Sequence, residues 1–214
     1  MSTPTIAVIG GTGKSGQFLV QQLVQDGFHI RLLVRNPAHA LAASPQLTIV
    51  PGEVSNYHSI LHLLQGCIAI ISTLGFGLPA SAPTIFTQST THVLEAMQAH
   101  GISRYILTTG LMVDTPFDRK GEQTMSATNW MRQTYPASTT NKQEEYELLA
   151  TSTLDWTMAR LPVIEQATEA PPIVTSLEDC PGNKISASSL ARFLIDQLND
   201  KAFFRKAPFI ANAP

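Results

Sequence analysis

The stretch TIAVIGGTGKSGQFLV, Thr5 to Val20, decides the fold. Thr5 to Ile9 is a short, β-branched run of buried-strand character. It breaks at a glycine turn, Gly10 to Gly16, and passes into a helix whose Phe18, Leu19, Leu23 and Val24 share one face. Gly10, Gly13 and Gly16 are spaced by three. Glycines at that spacing let the backbone reverse tightly and come close to a pyrophosphate, and the last lets the helix pack on the strand. The helix start offers unpaired N–H groups to phosphate oxygens, and Thr12 and Ser15 add hydroxyls that can donate or cap. Gly13-Lys14-Ser15 also matches the end of a triphosphate-binding loop. That motif needs a glycine five residues before Gly13, and Val8 stands there. The turn points to a dinucleotide.

Working outward, strand-like and helix-like segments alternate along the chain. Ile30 to Val34, Leu47 to Val50, Cys67 to Ser72, Arg104 to Thr108 and Leu154 to Ala159 read as strands. Between them, Ser55 is placed to cap a helix carrying Ile60, Leu61, Leu63 and Leu64. A long helix with Phe86, Val93, Leu94 and Met97 stops at Gly101, and Ser186 caps a last one with Leu190, Phe193, Leu194 and Leu198. Continuous apolar strands separated by amphipathic helices predict an α/β, doubly wound parallel sheet with helices on both faces. Gly110 to Ser138 and Leu161 to Lys184 break the alternation and read as long loops. Both follow strands, so both fall at the carboxyl edge of the sheet, where such folds bind ligands.

Composition narrows the class. The 214 residues fit one domain, 1–214, large enough for a core of its own. Only 14% are charged, with a net charge of −2 and no basic stripe, which argues against a nucleic-acid partner. No apolar run approaches the ~20 residues of a membrane span. Two cysteines, Cys67 and Cys180, make no CxxC pair, and the expected setting is the cytoplasm. A monomer is compatible with all of this. His58 and His62 lie four apart but lack a third ligand, so no metal is expected. Cys67 reads as core packing, and Glu144, Glu145 and Glu147 beside Lys142 as a solvated helix face.

Arg35 directly follows the second strand, the position that faces the adenosine ribose in a dinucleotide fold. A guanidinium there suits a 2′-phosphate, whereas a carboxylate would hold a free 2′-hydroxyl. No Asp or Glu occurs from His29 through Ala43, so NADPH is expected over NADH.

Taken together, GGTGKSG, LLVRNP (Leu32 to Pro37), GEV (Gly52 to Val54), STLG (Ser72 to Gly75), HGISRYILTTG (His100 to Gly110) and STLDWTMARLP (Ser152 to Pro162) resemble the atypical short-chain dehydrogenase/reductases. Among these, the chain looks most like the NAD(P)H-binding, NmrA-like proteins of the flavin reductase/biliverdin-IXβ reductase type. The resemblance covers essentially the whole chain and implies a Rossmann fold. It implies that Gly10, Thr12, Gly13, Lys14, Ser15 and Gly16 hold the pyrophosphate, Arg35 the 2′-phosphate, and that Glu53 and Val54 flank the adenine. Leu74, Gly75 and Phe76 would line the passage to the nicotinamide. Thr108, Thr109 and Gly110 would sit by its ribose, and Pro162, Val163 and Ile164 would close over the ring.

The chain departs from the family pattern at the catalytic positions. By alignment, Gly110 stands where a Ser or Thr polarises the substrate carbonyl. Lys142 matches the lysine of the Tyr-x-x-x-Lys pair, but Ser138 replaces the tyrosine, and Tyr135 and Tyr146 are out of register. Thr109 and Lys142 remain as catalytic candidates, and Gly110, Leu111, Trp130 and Tyr135 as substrate-side candidates, the last two as an aromatic wall. Loss of the tyrosine counts against alcohol or sugar-nucleotide chemistry more than against hydride transfer to a delocalised ring, which the cofactor largely carries itself. The expected function is NADPH-dependent reduction of a small planar acceptor (a flavin such as FMN, a bilin or a quinone). The alternative is an NmrA-like sensor that binds NADP(H) without turnover, and a sugar-nucleotide epimerase or dehydratase comes third.

Overall fold

The computed structural model describes residues 3–36, 44–76 and 81–213. Pro37 of the LLVRNP stretch, the rest of the acid-free run to Ala43, and Gly77 to Ala80 of the loop after the fourth strand lie outside the described residues. In chain order the elements are β1 (Thr5–Ile9), α1 (Gly16–Gln25), β2 (His29–Val34), β3 (Leu47–Pro51), α2 (Tyr57–Leu63), β4 (Ala69–Ser72), α3 (Ile85–His100) and β5 (Arg104–Gly110). Then follow α4 (Glu122–Thr134), α5 (Pro136–Thr151), β6 (Asp155–Leu161), β7 (Val163–Glu165), β8 (Ile173–Ser176), β9 (Lys184–Ser186), α6 (Ala187–Asp196) and β10 (Phe209–Asn212).

Eight strands form one sheet in the order β3-β2-β1-β4-β5-β6-β10-β8, and β7 pairs with β9 in a separate two-stranded sheet. The six strands read from the sequence are parallel and stand in the order of a doubly wound dinucleotide fold, and β10 continues them in parallel. The sheet is not parallel throughout. Phe209 to Asn212 pairs in parallel with β6 and antiparallel with β8. This puts an unexpected antiparallel strand at one edge, as mixed α/β sheets often have.

Alternate residues of each strand feed two cores. Ala7, Ile9, Ile70, Tyr105, Leu107, Trp156 and Met158 pack under α2, α3 and α5. Ile6, Val8, Leu32, Ile71, Ile106 and Ala159 pack under α1 and α6. Each large aliphatic side chain so buried contributes about 1.5–3 kcal/mol relative to exposure. No helix among the described residues is long and apolar enough to cross a membrane.

Helix ends follow local chemistry. Asn56, not the expected Ser55, caps α2: its backbone is extended and its side chain accepts from the Ser59 N–H at 3.2 Å. Ser186 caps α6 as expected, accepting from the Ser189 N–H at 3.0 Å. Gly101 closes α3 in the left-handed conformation. The largest correction is Gly110 to Ser138, expected as loop, which holds α4 and the first turn of α5. Its helices are too polar to show an apolar stripe. They meet at Tyr135, whose non-helical backbone (φ −132°, ψ 56°) precedes Pro136 at the first position of α5. Proline cannot continue α4 but starts a new helix readily, so the chain turns an elbow there. Leu161 to Lys184, also expected as loop, contains β7 and β8.

Candidate active site

The crevice opens at the carboxyl edge where the strand order reverses, between β1 and β4. Gly10 has φ +78°, and a Cβ there would stand 2.7 Å from the Thr73 carbonyl oxygen. The turn after β1 and the segment after β4 thus lie in direct backbone contact. The turn closes through the Gly13 N–H donating to the Gly10 carbonyl at 3.0 Å. A Cβ on Gly16 would fall 2.1 Å from that same oxygen, so only glycine lets α1 start this close to the turn. Ser15 occupies the cap position but its hydroxyl makes no capping bond. The first turn of α1 is left without a side-chain acceptor, which is what an anionic ligand requires. Gly13 and Lys14 are exposed, Thr12 and Ser15 half-buried. These residues fit a pyrophosphate.

Arg35 stands exposed just beyond β2, clear of the core, with Asn36 after it. Glu53 is exposed, whereas Val54 is buried in the first core and its carbonyl is bonded to His92 Nδ1 at 3.0 Å. Leu74 packs partly on the same core, leaving Gly75 and Phe76 exposed on the crevice segment.

At the end of β5, alternation turns Thr109 toward the α3–α5 face, as it does Tyr105 and Leu107. Its Oγ1 is buried and has no hydrogen-bond partner among the described residues. An orphaned buried hydroxyl is costly and usually marks a missing partner. Next to it, Lys142 on α5 donates from Nζ to the Thr108 carbonyl at 3.3 Å and to Glu145 Oε2 at 2.8 Å, with Nζ 3.8 Å from the centre of the Phe86 ring. Glu145 is only 2% exposed, which overturns the expectation of a solvated acidic face. Glu144 and Glu147 are exposed. The other Glu145 oxygen accepts from Thr90 Oγ1 at 2.8 Å, and Thr90 Oγ1 lies 3.4 Å from the Tyr105 hydroxyl. Thr90 has one hydroxyl proton and gives it to Glu145, so Tyr105 is the donor in the remaining bond. Burial, and next the Glu145 carboxylate, push the Tyr105 phenol up. Asn141 completes the join of α5 to α3, its Oδ1 accepting from the Phe86 and Thr87 N–H groups at 3.0 and 3.3 Å. α3 has no cap of its own at that end.

An aromatic series leads outward from Lys142. Phe86 meets Phe76 edge-on at 5.5 Å, Phe76 stacks on Tyr135 at 5.8 Å, and Tyr135 meets Trp130 edge-on at 6.0 Å. Phe86 is buried, while Phe76, Tyr135 and Trp130 are exposed, Trp130 to 57%. The two aromatics named from sequence as substrate-side candidates are therefore joined through Phe76 to the segment after β4. Ser138, at the position of the family tyrosine, is half-buried, and Tyr146 packs edge-on to Trp156 in the core.

The loop beyond β5 is fixed by buried charge. Arg160 on β6 is fully buried and donates to Asp118 Oδ1 at 2.6 Å and to the Ala207 and Val113 carbonyls at 2.8 and 3.2 Å, over the Phe209 ring. Burial pulls its guanidinium down against the opposing pull of Asp118. Lys120 donates to the Leu111 carbonyl at 2.7 Å and to Asp114 at 2.6 Å. Leu111 and Gly110 are each half-buried at this edge. Pro162, Val163 and Ile164 leave β6 at the same edge, but Val163 is 68% exposed in β7 and Ile164 packs on the second core.

His58 and His62 lie exposed on α2. Cys67 is buried and burial pushes its thiol up to about 11, so it packs rather than reacts. Sequence reasoning missed Glu145, Thr90, Asn141, Phe86 and Arg160. The spacing of Lys142, Glu145 and Leu149 on one helix face was the available signal for the first.

A family model described as NAD(P)H-binding matches residues 10–201. A ceramide reductase from Caulobacter vibrioides is 32% identical over 71 residues, 33% of this chain and 22% of that protein, so the match spans about a fifth of the relative's length. A short-chain dehydrogenase/reductase from Veillonella parvula in complex with NADP superposes with a TM-score of 0.81 at 15% identity, covering 99% of this chain and 95% of that one. An oxidoreductase from Lactococcus lactis gives 0.74 at 16% identity, covering 98% and 91%. At these identities the likeness is one of fold.

Proposed function

Because the chain belongs to the NAD(P)H-binding family, we propose that it is an NADPH-dependent reductase that passes hydride to a small planar acceptor such as a flavin, bilin or quinone. The observation that carries this reading is the exposed Phe76–Tyr135–Trp130 surface, joined through Phe86 to Lys142. Flat aromatic walls hold flat ligands, and orienting two rings face to face is most of what such a transfer asks of a protein. The bound nicotinamide would supply two electrons and a proton as hydride, and solvent the second proton of the reduced acceptor.

In this reading Gly10, Thr12, Gly13, Lys14, Ser15 and Gly16 hold the pyrophosphate, and Arg35 the 2′-phosphate that distinguishes NADPH from NADH. Lys142 faces the nicotinamide ribose, and the free Thr109 hydroxyl offers one hydrogen bond to cofactor or acceptor. The cytoplasm, where two unpaired thiols persist, suits the protein.

The deciding measurement is NADPH oxidation followed by nicotinamide absorbance, with and without FMN. A saturable FMN-dependent rate supports the reductase. Tight NADPH binding with no consumption across flavins, bilins and quinones would defeat it in favour of a redox sensor. Ser138 in place of the family tyrosine is the feature that favours that second reading.

A further inference from the structure

Of the acidic residues on α5, Glu145 alone is taken into the protein, and the reductase reading gives it no task. Its surroundings are specific. Both carboxylate oxygens are engaged, by Lys142 and by Thr90, and Tyr105 stands behind Thr90. Every donor in this chain points toward Glu145. Thr90 is 0% and Tyr105 1% exposed, so the side of Glu145 away from Lys142 is closed off within the protein. The arrangement is that of a brace.

What the brace holds is the Lys142 ammonium. Of its three N–H donors, one goes to Glu145 and one to the Thr108 carbonyl, and no third acceptor is found among the described residues. The site lies at the last residues of β5, beside the orphaned Thr109 hydroxyl, on the edge that opens to the crevice. A lysine is among the costliest side chains to order, and ordering it before the ligand arrives removes that cost from binding. A buried ion pair is a poor source of stability by itself, which argues for a use of this one beyond holding α5 in place.

We propose that Glu145 is a positioning residue for cofactor binding, fixing the Lys142 ammonium, with Thr90 and Tyr105 behind it, to meet the nicotinamide ribose. This rests on the reading that places the ribose at Lys142. The brace makes binding of NADPH dependent on a carboxylate that never touches it.

The test is a double-mutant cycle read by NADPH affinity, with nicotinamide fluorescence as the signal. Glu145→Gln should weaken binding about tenfold in the native background and less than about twofold when Lys142→Gln is already present, because the carboxylate acts only through the lysine. The glutamine at 142 keeps an N–H donor for Glu145. An equal loss in both backgrounds, or no loss in the native one, overturns the proposal, since a purely structural carboxylate gives the first and an idle one the second. Should Glu145→Gln fail to fold, Thr90→Val removes the donor at the other oxygen with little change of shape. It enters the same cycle with an expected loss of about threefold that again vanishes beside Lys142→Gln. Binding is read rather than turnover. A chain that binds NADPH and reduces nothing would therefore sink the reductase reading and leave this one standing.

Discussion

Phe76 lies stacked on Tyr135, with ring centroids 5.8 Å apart and planes 30° from parallel. The contact joins the segment leaving β4 to the elbow between α4 and α5. It rests on apolar surface rather than charge, so salt will not loosen it. The elbow exists because Pro136 stops α4, and the position of Tyr135 is in that sense a consequence of a proline. Trp130, one turn back along α4, extends the same surface outward.

Trp130→Ala should raise the KM for FMN about three- to tenfold and leave the KM for NADPH unchanged, since one aromatic contact is worth roughly 0.5–1.5 kcal/mol. Stopped-flow or steady-state absorbance at varied FMN measures it. An unchanged KM for FMN would remove Trp130 from the acceptor surface.

Arg35→Ala should lower the NADPH-to-NADH affinity ratio about tenfold or more, with NADH affinity itself held, because a charge-assisted bond to a 2′-phosphate contributes about 1.5–3 kcal/mol. Fluorescence titrations with both nucleotides decide it. An unaltered ratio would move the 2′-phosphate contact elsewhere.

Gly16→Ala should weaken NADPH binding by about tenfold or more. The added Cβ would meet the Gly10 carbonyl oxygen at 2.1 Å, so α1 must retreat from the turn. A circular-dichroism melt run beside the titration separates loss of the cradle from loss of the fold.

The fourth prediction concerns stability in acid. Burial alone would lift the Asp114 carboxyl, but hydrogen bonds from Lys120 and Arg132 outweigh it and hold the group below its usual 3.8. A carboxyl lowered in the folded state gives stability that is full above the unfolded value and is lost as pH falls through the folded one. Melting temperature should therefore drop below about pH 4, and Asp114→Asn should flatten part of that drop. With Asp114 half exposed, the effect is a few tenths to about 1 kcal/mol. Thermal melts of both proteins from pH 7 to 3 give the comparison.

How much of this could be read from the chain alone depended on distance along it. The run from Thr5 to Gly16 is a strand, a turn and a helix start that need only their own residues, and all appear where expected. The six parallel strands likewise announce themselves as apolar runs. β8 and β10 do not, because β8 has no buried residue and β10 carries only a short apolar run before Asn212. α4 was hidden by its polarity, with only Thr124 and Thr128 buried among its thirteen residues. Glu145 was hidden by chemistry: a lysine and a glutamate three apart look the same whether water or Phe86 lies beside them. Only the packing of α5 on α3 distinguishes the two.

The placement of β10 between β6 and β8 also bears on how the protein comes together. β1 meets β2 across a single helix, Ile6 with Ile30, but meets β4 only across two intervening strands, Ile6 with Ala69. The wall beyond β6 is completed by the pairing of Phe209 to Asn212, and with it Arg160 and Phe209 enclose the charges that fix the segment after β5. Both ends of the sheet therefore depend on pairings distant along the chain, and loss of β10 would release the segment after β5 together with the edge strand β8.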